Sequence, residues 1–448
     1  MLRRFFKKSI VAILTLEARL VLRAYQPRIV AITGSVGKTS TKDAVYAVLA
    51  GQYHVRRSEK SFNSEVGLPL TILGCPNAWN NPFRWLQNIF DGLLLLVLPG
   101  RYPQWLVLEV GADRPHDIRS IAQWLPVDIA VITRLPEVPV HVEFFDSPQQ
   151  LVEEKAALID ALKPGGTLVL FADDERTHLL RARAQARQIK VVTFGLTAAA
   201  DVRGMDFVPL YEEGMQKWPI GMSARIEING ASAPISIIGI IGEHMLLPAV
   251  AAAAVGGVLG KDLATIVDAL RHYDPPSGRM RLLAGVKETL LIDDTYNSSP
   301  AAVVAALDAL AGVQGDALKS SGVKASPLGR KIAILGDMLE LGRHSVEEHR
   351  KIGAYLANKV DILVTVGFRA RDIAQGALDN GLPDSAILQY EDAHKAGDEL
   401  EAMLSAGDCV LVKGSQSMRM ERVVEELMNE PERAAELLVR QDVEWKRR

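Results

Sequence analysis

The chain is 448 residues long, with 48% hydrophobic and 23% charged residues and a formal net charge of −3. At roughly 150 residues per domain the length implies two or three domains, and the composition excludes a disordered chain and gives no global basis for nucleic-acid binding. Two cysteines, Cys75 and Cys409, lie far apart and form no metal or redox motif, so a disulfide scaffold is not expected and a reducing cytoplasm fits.

The first 27 residues form a basic amphipathic unit. Residues 1–28 hold Arg3, Arg4, Lys7, Lys8, Arg19, Arg23 and Arg28 against Glu17, a local balance of +6. The apolar run Ile10–Leu16 is short of the ~20 residues that span a bilayer, and no small-residue cleavage site follows it. Two readings stand: a helix packed on the next domain, or a membrane-surface helix with basic anchors. A second apolar run, Leu93–Leu98, follows the aromatic segment Trp79–Phe90 and reads as buried core.

From Arg28 the pattern is strand, Gly-bearing turn, Ala/Val-rich helix. Buried strands are predicted at Arg28–Thr33, Trp105–Val110, Asp128–Thr133, Thr167–Phe171 and Val191–Phe194. A helical stretch over Ser147–Leu162 takes Ser147 as N-cap and Pro148 as its first residue. The alternation predicts an α/β fold with a mostly parallel sheet covered on both faces. From Asp201 to Ile241 shorter alternating strands, including Ser223–Ile228, read as an antiparallel addition. The breaker Asp274-Pro275-Pro276-Ser277-Gly278 divides a central domain, 28–276, from a C-terminal Rossmann-like domain, 277–448. In the latter, strands are predicted at Thr289–Asp293, Lys331–Leu335, Ile362–Val366 and Cys409–Val412, and Gly315–Arg330 reads as an exposed loop.

The segment Gly34-Ser35-Val36-Gly37-Lys38-Thr39-Ser40 carries the first chemistry. Backbone N–H groups of such a turn, feeding a helix N-terminus, make a concave anion site. Lys38 would reach the terminal phosphates of a nucleotide, and the Thr39 hydroxyl would meet Mg²⁺. The full pattern asks for a further Gly where Ile32 stands, so this is a shortened Gly-x-x-Gly-Lys-Thr variant; a plain strand-to-helix connection is the competing reading. Glu109 ends a predicted strand, where the carboxyl end of a parallel sheet opens into a site; an ion-paired or capping role competes. His141 in its loop reads equally as a surface polar group.

Taken together the segments resemble the Mur ligase family of peptidoglycan amino-acid ligases, from Ile29 to about Glu426. The matching stretches are 33–40, Phe62–Pro69, Leu108–Ala112, His141–Phe145, Lys155 at the family's spacing, Gly242–His244, Gly278–Met280, Asp293–Asn297, Gly336–Gly342 and Val412–Ser415. The Tyr296-Asn297 and Gly336–Gly342 segments look most like the branch that joins D-alanyl-D-alanine to a UDP-N-acetylmuramoyl-tripeptide. The resemblance implies an ATP-dependent, ADP-forming amide ligase working through an acyl phosphate. It implies ATP contacts from the Gly34–Ser40 loop, Arg279, Asn297 and Asp337, and two Mg²⁺ held by Thr39, Glu109, His141 and Lys155. Lys155 would be carbamylated, with Lys38, His141 and Lys155 as the catalytic set. Asn63, Arg134, Lys413 and Ser415 would face the muropeptide or related carboxylate and the D-alanyl-D-alanine or other amine. Read locally, Lys155 in Glu153-Glu154-Lys155 is a solvated helix face, Asp337 a turn former, Arg279 a surface residue and Ser415 a helix cap.

Four departures from the family qualify the substrate. About 28 residues precede the loop's strand, too few for the UDP-sugar-binding domain that usually opens these ligases. Arg134 stands where Asn is usual and adds a cation near His141. Met245 replaces Asn after His244, and Phe171-Ala172-Asp173-Asp174 lacks a preceding Asn. Two alternatives therefore accompany the main reading: a related ligase acting on another cell-wall or lipid-linked carboxylate, and a nonenzymatic nucleotide-binding scaffold. The protein is expected in the cytoplasm, with peripheral contact at the inner membrane face as the variant that the basic N-terminus suggests.

Overall fold

The structure, a computed structural model, describes residues 2–59, 62–79, 81–98, 100–211, 218–313 and 329–446, with side chains from residue 9 onward. The expected loop at Gly315–Arg330 falls outside these residues, apart from Gly329 and Arg330 at its end.

The chain builds two sheets. The larger has nine strands: β1 (Arg28–Thr33), β2 (Val55–Arg57), β3 (Trp105–Glu109), β4 (Val127–Ile132), β5 (Leu162–Phe171), β6 (Lys190–Gly195), β7 (Val202–Tyr211), β8 (Pro219–Ile228) and β9 (Ala231–Ile238). Their spatial order is β2-β3-β1-β4-β5-β6-β7-β8-β9. β1 lies in the middle of the parallel part, with Ile32 opposite both Glu109 of β3 and Val131 of β4. Every residue of β3 is buried, and so is every residue of β1 after Arg28. That is why these strands read as continuous apolar runs rather than alternations. β7, β8 and β9 are joined antiparallel, as their alternating sequence predicts.

The smaller sheet has six strands: β10 (Arg281–Gly285), β11 (Thr289–Asp294), β12 (Lys331–Gly336), β13 (Ile362–Val366), β14 (Ile387–Tyr390) and β15 (Cys409–Lys413), ordered β10-β11-β15-β12-β13-β14. All but β10 run parallel. The helical stretch at Ser147 is split: an α-helix over Pro148–Ala156, capped by the Ser147 side chain, passes into a 3-10 turn over Ala157–Ala161, and β5 starts at Leu162.

Four helices enter the later argument. α1 (Leu2–Tyr25) and α4 (Pro82–Val97) sit side by side, α2 (Lys38–Ala50) follows the glycine turn, and α3 (Gly67–Leu73) is fully buried. α1 sends Ile10, Leu14, Ala18, Val21 and Leu22 into the cluster that also holds Leu68, Leu106 and Ile132. The N-terminal helix thus packs on the domain that follows it. The Leu93–Leu98 run departs from the buried-core reading: Leu93, Val97 and Leu98 are exposed and Leu94–Leu96 half-buried. A second cluster runs from Val30 and Val131 through Tyr273 and Met280 to Leu290 and Leu307, so apolar packing is continuous between the two sheets.

Candidate active site

The carboxyl ends of the two parallel sheets face one cavity of about 650 Å³. Its wall includes Ser35, Val36, Gly37, Lys38, Thr39, Ser40, Asn63, Glu109 and His141 from the first part of the chain, and Arg279, Asn297, Lys413 and Ser415 from the second. Gly34, Arg134, Lys155 and Asp337 are not among the residues that line it.

The glycine turn is shaped by β4. Gly34 has φ +144° and passes so close to Thr133 that an added Cβ would fall 1.9 Å from Thr133 Oγ1, so no larger residue fits there. Thr133 Oγ1 donates to the Val36 carbonyl at 2.8 Å, and the Arg134 carbonyl accepts from Ser35 and Val36 N–H at 3.0 and 3.4 Å. Gly37, at φ +83°, caps α2 with no side chain covering the helix start. The first-turn amides, together with the positive end of the helix dipole, are thereby left for an anion.

Cations and carboxylates are brought together around that helix end. Burial is the main influence lowering the Lys38 pKa, partly opposed by Glu109. Glu109 is buried; its Oε1 accepts from Asn63 Nδ2 at 3.2 Å, while Oε2 has no hydrogen-bond partner. A buried carboxylate oxygen without a donor is costly unless a cation or ligand completes it. Thr39 Oγ1 accepts from Arg279 Nη2 at 2.8 Å, and the same guanidinium lies 4.1 Å above the Tyr296 ring. Arg279 therefore ties the segment after the breaker to the phosphate loop.

Across the cavity, Lys413 Nζ donates to Asp294 Oδ2 at 2.5 Å and to the Asn297 carbonyl at 2.9 Å. Asp293 is pushed up to about 6 by burial, despite accepting from the Thr295 amide and hydroxyl. Ser415 Oγ accepts from Leu339 N–H at 2.8 Å, and its own N–H donates to the Asp337 carbonyl. The Asp337 carboxylate accepts from Ala370 N–H at 2.8 Å, so it anchors the 367–370 turn from below. Arg134 turns its guanidinium to Asp174, Nε to Oδ1 at 3.7 Å, rather than into the cavity.

Lys155 is buried and donates from Nζ to the Gly34 carbonyl at 3.0 Å; burial and the nearby Lys38 hold its pKa well below the usual lysine range. His141 sits at φ 72°, with Nδ1 2.6 Å from Glu340 Oε2 and Nε2 3.6 Å from Asp113 Oδ1.

Lining residues that carried no role in the sequence reading include Asp113, His244, Glu340, Arg419 and Trp445. His244 is brought down to about 4, mainly by burial. Arg419 donates to Glu421 at 2.5 Å and to the Trp445 carbonyl at 2.8 Å, and Glu421 also accepts from Arg440 at 2.6 Å. The signal for Arg419 was a charge inside the apolar run Met418-Arg419-Met420. Trp445 had none, because the fold alone returns the C-terminal segment to the cavity.

A glycine turn opening into a helix start, with an unpartnered buried carboxylate in the same cavity, is the arrangement of a nucleotide-binding α/β enzyme, and the comparisons give its class as a ligase. The Mur ligase middle domain matches residues 92–256, and the Mur ligase glutamate ligase domain matches 278–416. The UDP-N-acetylmuramoyl-tripeptide--D-alanyl-D-alanine ligase of Mycobacterium leprae is 30% identical over 410 residues, covering 90% of this chain and 74% of the relative. The chain belongs to the Mur ligase family of ATP-dependent ligases. The enzyme of the same name from Bacillus subtilis is 29% identical over 92% of this chain and 79% of its own length. Among solved structures, the MurF ligase of Thermotoga maritima in complex with ADP superposes with a TM-score of 0.73 at 27% identity, covering 95% of this chain and 85% of that one.

Proposed function

We propose that this protein joins D-alanyl-D-alanine to a UDP-N-acetylmuramoyl-tripeptide, forming ADP and phosphate. The observation that carries the reading is the pairing of the open α2 start and Lys38 with the unpartnered Glu109 oxygen in the same cavity wall, alongside relatives that bear this activity as their name. A carboxylate and an amine do not condense usefully in water. The substrate carboxylate first attacks the ATP γ-phosphate, giving an acyl phosphate and ADP. The amine then attacks the acyl carbon, and phosphate leaves from a tetrahedral intermediate. The protein's part is positioning and charge neutralisation. Lys38 and the α2 amides hold phosphate oxygens, Arg279 orients the loop through Thr39, and Lys413 and Ser415 stand on the wall facing the incoming amine.

The residues fit Mg²⁺: Glu109 brings an unmatched anionic oxygen and Thr39 a hydroxyl, with His141 and a carbamylated Lys155 as the remaining donors by resemblance. Bound there, Mg²⁺ supplies positive charge against the phosphates. The uncharged amine that burial favours at Lys155 is the form that takes up carbon dioxide. The division at 276/277 is part of this reading, supported by family matches that end at 256 and begin again at 278. So are a cytoplasmic location and a peripheral membrane contact; no helix among the described residues is long and apolar enough to cross a membrane.

The test is phosphate release with substrate pairs. Turnover should require ATP, the muropeptide acid and D-alanyl-D-alanine together. Release with another carboxylate or amine, and none with this pair, would replace the substrate assignment.

A further inference from the structure

Among the described residues, eight exposed large apolar side chains lie on two neighbouring helices. On α4, Phe83, Leu86, Phe90, Leu93 and Val97 are 79%, 61%, 59%, 48% and 73% exposed. Their spacing of i, i+3, i+7, i+10 and i+14 sets them on one line along the helix, about 21 Å long. The opposite face carries buried Asn88 and Gly92. On α1, Ile13, Leu16 and Leu20 repeat the device at i, i+3, i+7, opposite Leu14, Ala18 and Val21. Both helices bury their inner faces in the same core cluster and touch each other, so the two outward stripes are neighbours. A single exposed Leu needs no explanation, but a contiguous patch of this kind marks an interaction surface.

Charge says what kind. Arg19 and Arg23 on α1, Arg84 on α4 and Arg101 just beyond it are exposed. The acids of the two helices are Glu17, which is buried, and Asp91, which is half-buried. The sequence before residue 9 adds Arg3, Arg4, Lys7 and Lys8. An apolar stripe with a cationic border and no exposed acid matches the headgroup region of an anionic bilayer. It matches a second copy of this chain poorly, because two such faces would bring their cations together. We infer that the outer face of α1 and α4 lies on an anionic lipid membrane, with the stripe inserted among the acyl chains and the arginines at the phosphates. This gives the peripheral contact named above a surface, and it is independent of the ligase reading because none of these residues lines the catalytic cavity.

The test is flotation of the full-length protein with vesicles of about three parts phosphatidylcholine to one part phosphatidylglycerol, and with phosphatidylcholine alone. Binding is expected to the anionic vesicles, to weaken with salt, and to fall about fivefold for each arginine among Arg23, Arg84 and Arg101 changed to Gln. Leu86→Glu with Phe90→Glu should abolish it while leaving the thermal transition and phosphate release as in the parent. Lack of binding by a protein that turns over normally would overturn the docking surface and leave the ligase assignment standing. A concentration-dependent dimer lost in Leu86→Glu/Phe90→Glu, with no vesicle binding, would reassign the face to self-association.

Discussion

Glu109 is the residue on which the site's electrostatics turn. It is buried within reach of an amide donor on one oxygen and of nothing on the other, beside an ammonium whose charge burial disfavours. Glu109→Gln keeps the shape and can keep a contact to Asn63, but it removes the anion. We expect turnover to fall about 10²–10³-fold, the loss typical of removing one preorganised electrostatic group, with the thermal transition unchanged or raised. A variant that keeps near-parent phosphate release would remove Glu109 from the reaction. Lys155 gives a second prediction at this scale. With carbon-13-labelled bicarbonate the parent should show a carbamate resonance that is absent from Lys155→Ala, and Lys155→Ala should lose most phosphate release. A parent with full turnover and no such resonance shows that Lys155 acts as the plain amine that holds Gly34. The Gly34–Ser40 motif was legible in the sequence because its residues are contiguous and lead into a helix, although the turn's shape also depends on Thr133 and Arg134. The roles of Arg134 and Asp337 were not legible, because each is set by a distant partner, Asp174 and Ala370.

The contact of α1 with α4 shows the same contrast between elements. Glu17 is 3% exposed, lies against Gly92, and has an Oε2 without a hydrogen-bond partner. An added Cβ at Gly92 would stand 2.3 Å from that oxygen, so the helices approach closely only because position 92 has no side chain. Burial raises the Glu17 pKa from 4.5 to about 7. The folded state therefore holds a proton that the unfolded chain releases. The stability this contributes is fully present below about pH 4.5 and is lost as pH rises through about 7. Glu17→Met should flatten the pH dependence of the melting temperature across that window and raise stability at about pH 8, on the order of 1 kcal/mol. An unchanged pH dependence in the variant would show that Glu17 is already charged in the folded protein across that window. Buried strands such as β1, β3 and β13 were readable because each is a near-continuous apolar run. β2 and β14, at three and four residues and without a fully buried side chain, carry too little pattern to separate from loop. The Leu93–Leu98 run was misread because six consecutive apolar residues show no period. The period appears only when α4 is counted from its start, where the Asn81 side chain accepts from Phe83 and Arg84 N–H ahead of Pro82.

At the scale of the whole molecule, the cavity exists because two sheets are held with their carboxyl ends opposed, and few polar contacts hold them so. Near the breaker, Ile241 N–H donates to the Met280 carbonyl and Leu282 N–H to the Gly239 carbonyl, making a short backbone seam. Arg279 reaches Thr39 beside it. On another side of the cavity, His141 Nδ1 meets the Glu340 carboxylate, and Glu143 N–H donates to the Glu340 carbonyl at 3.2 Å. The seam is a set of backbone bonds and will persist; the Glu340 contact is partly exposed and is the one that can open. Contact with His141 holds the Glu340 carboxyl below its ordinary 4.5. The stability from this carboxylate is therefore fully present above about pH 4.5 and is lost only as pH falls through the lower folded value. Changes in turnover between about pH 5 and 8 cannot come from its titration. Removing it is a different matter. A half-exposed pair of this kind contributes about 1 kcal/mol, so Glu340→Ala should lower the closed population about fivefold while leaving each sheet intact. Small-angle scattering should then report a larger radius of gyration than the parent, and the KM for the amine substrate should rise, since Lys413 and Ser415, proposed to face it, lie on the C-terminal wall of the cavity. Equal scattering curves and equal KM values for parent and variant would mean that the apolar packing from Tyr273 to Leu290 holds the cleft closed without Glu340.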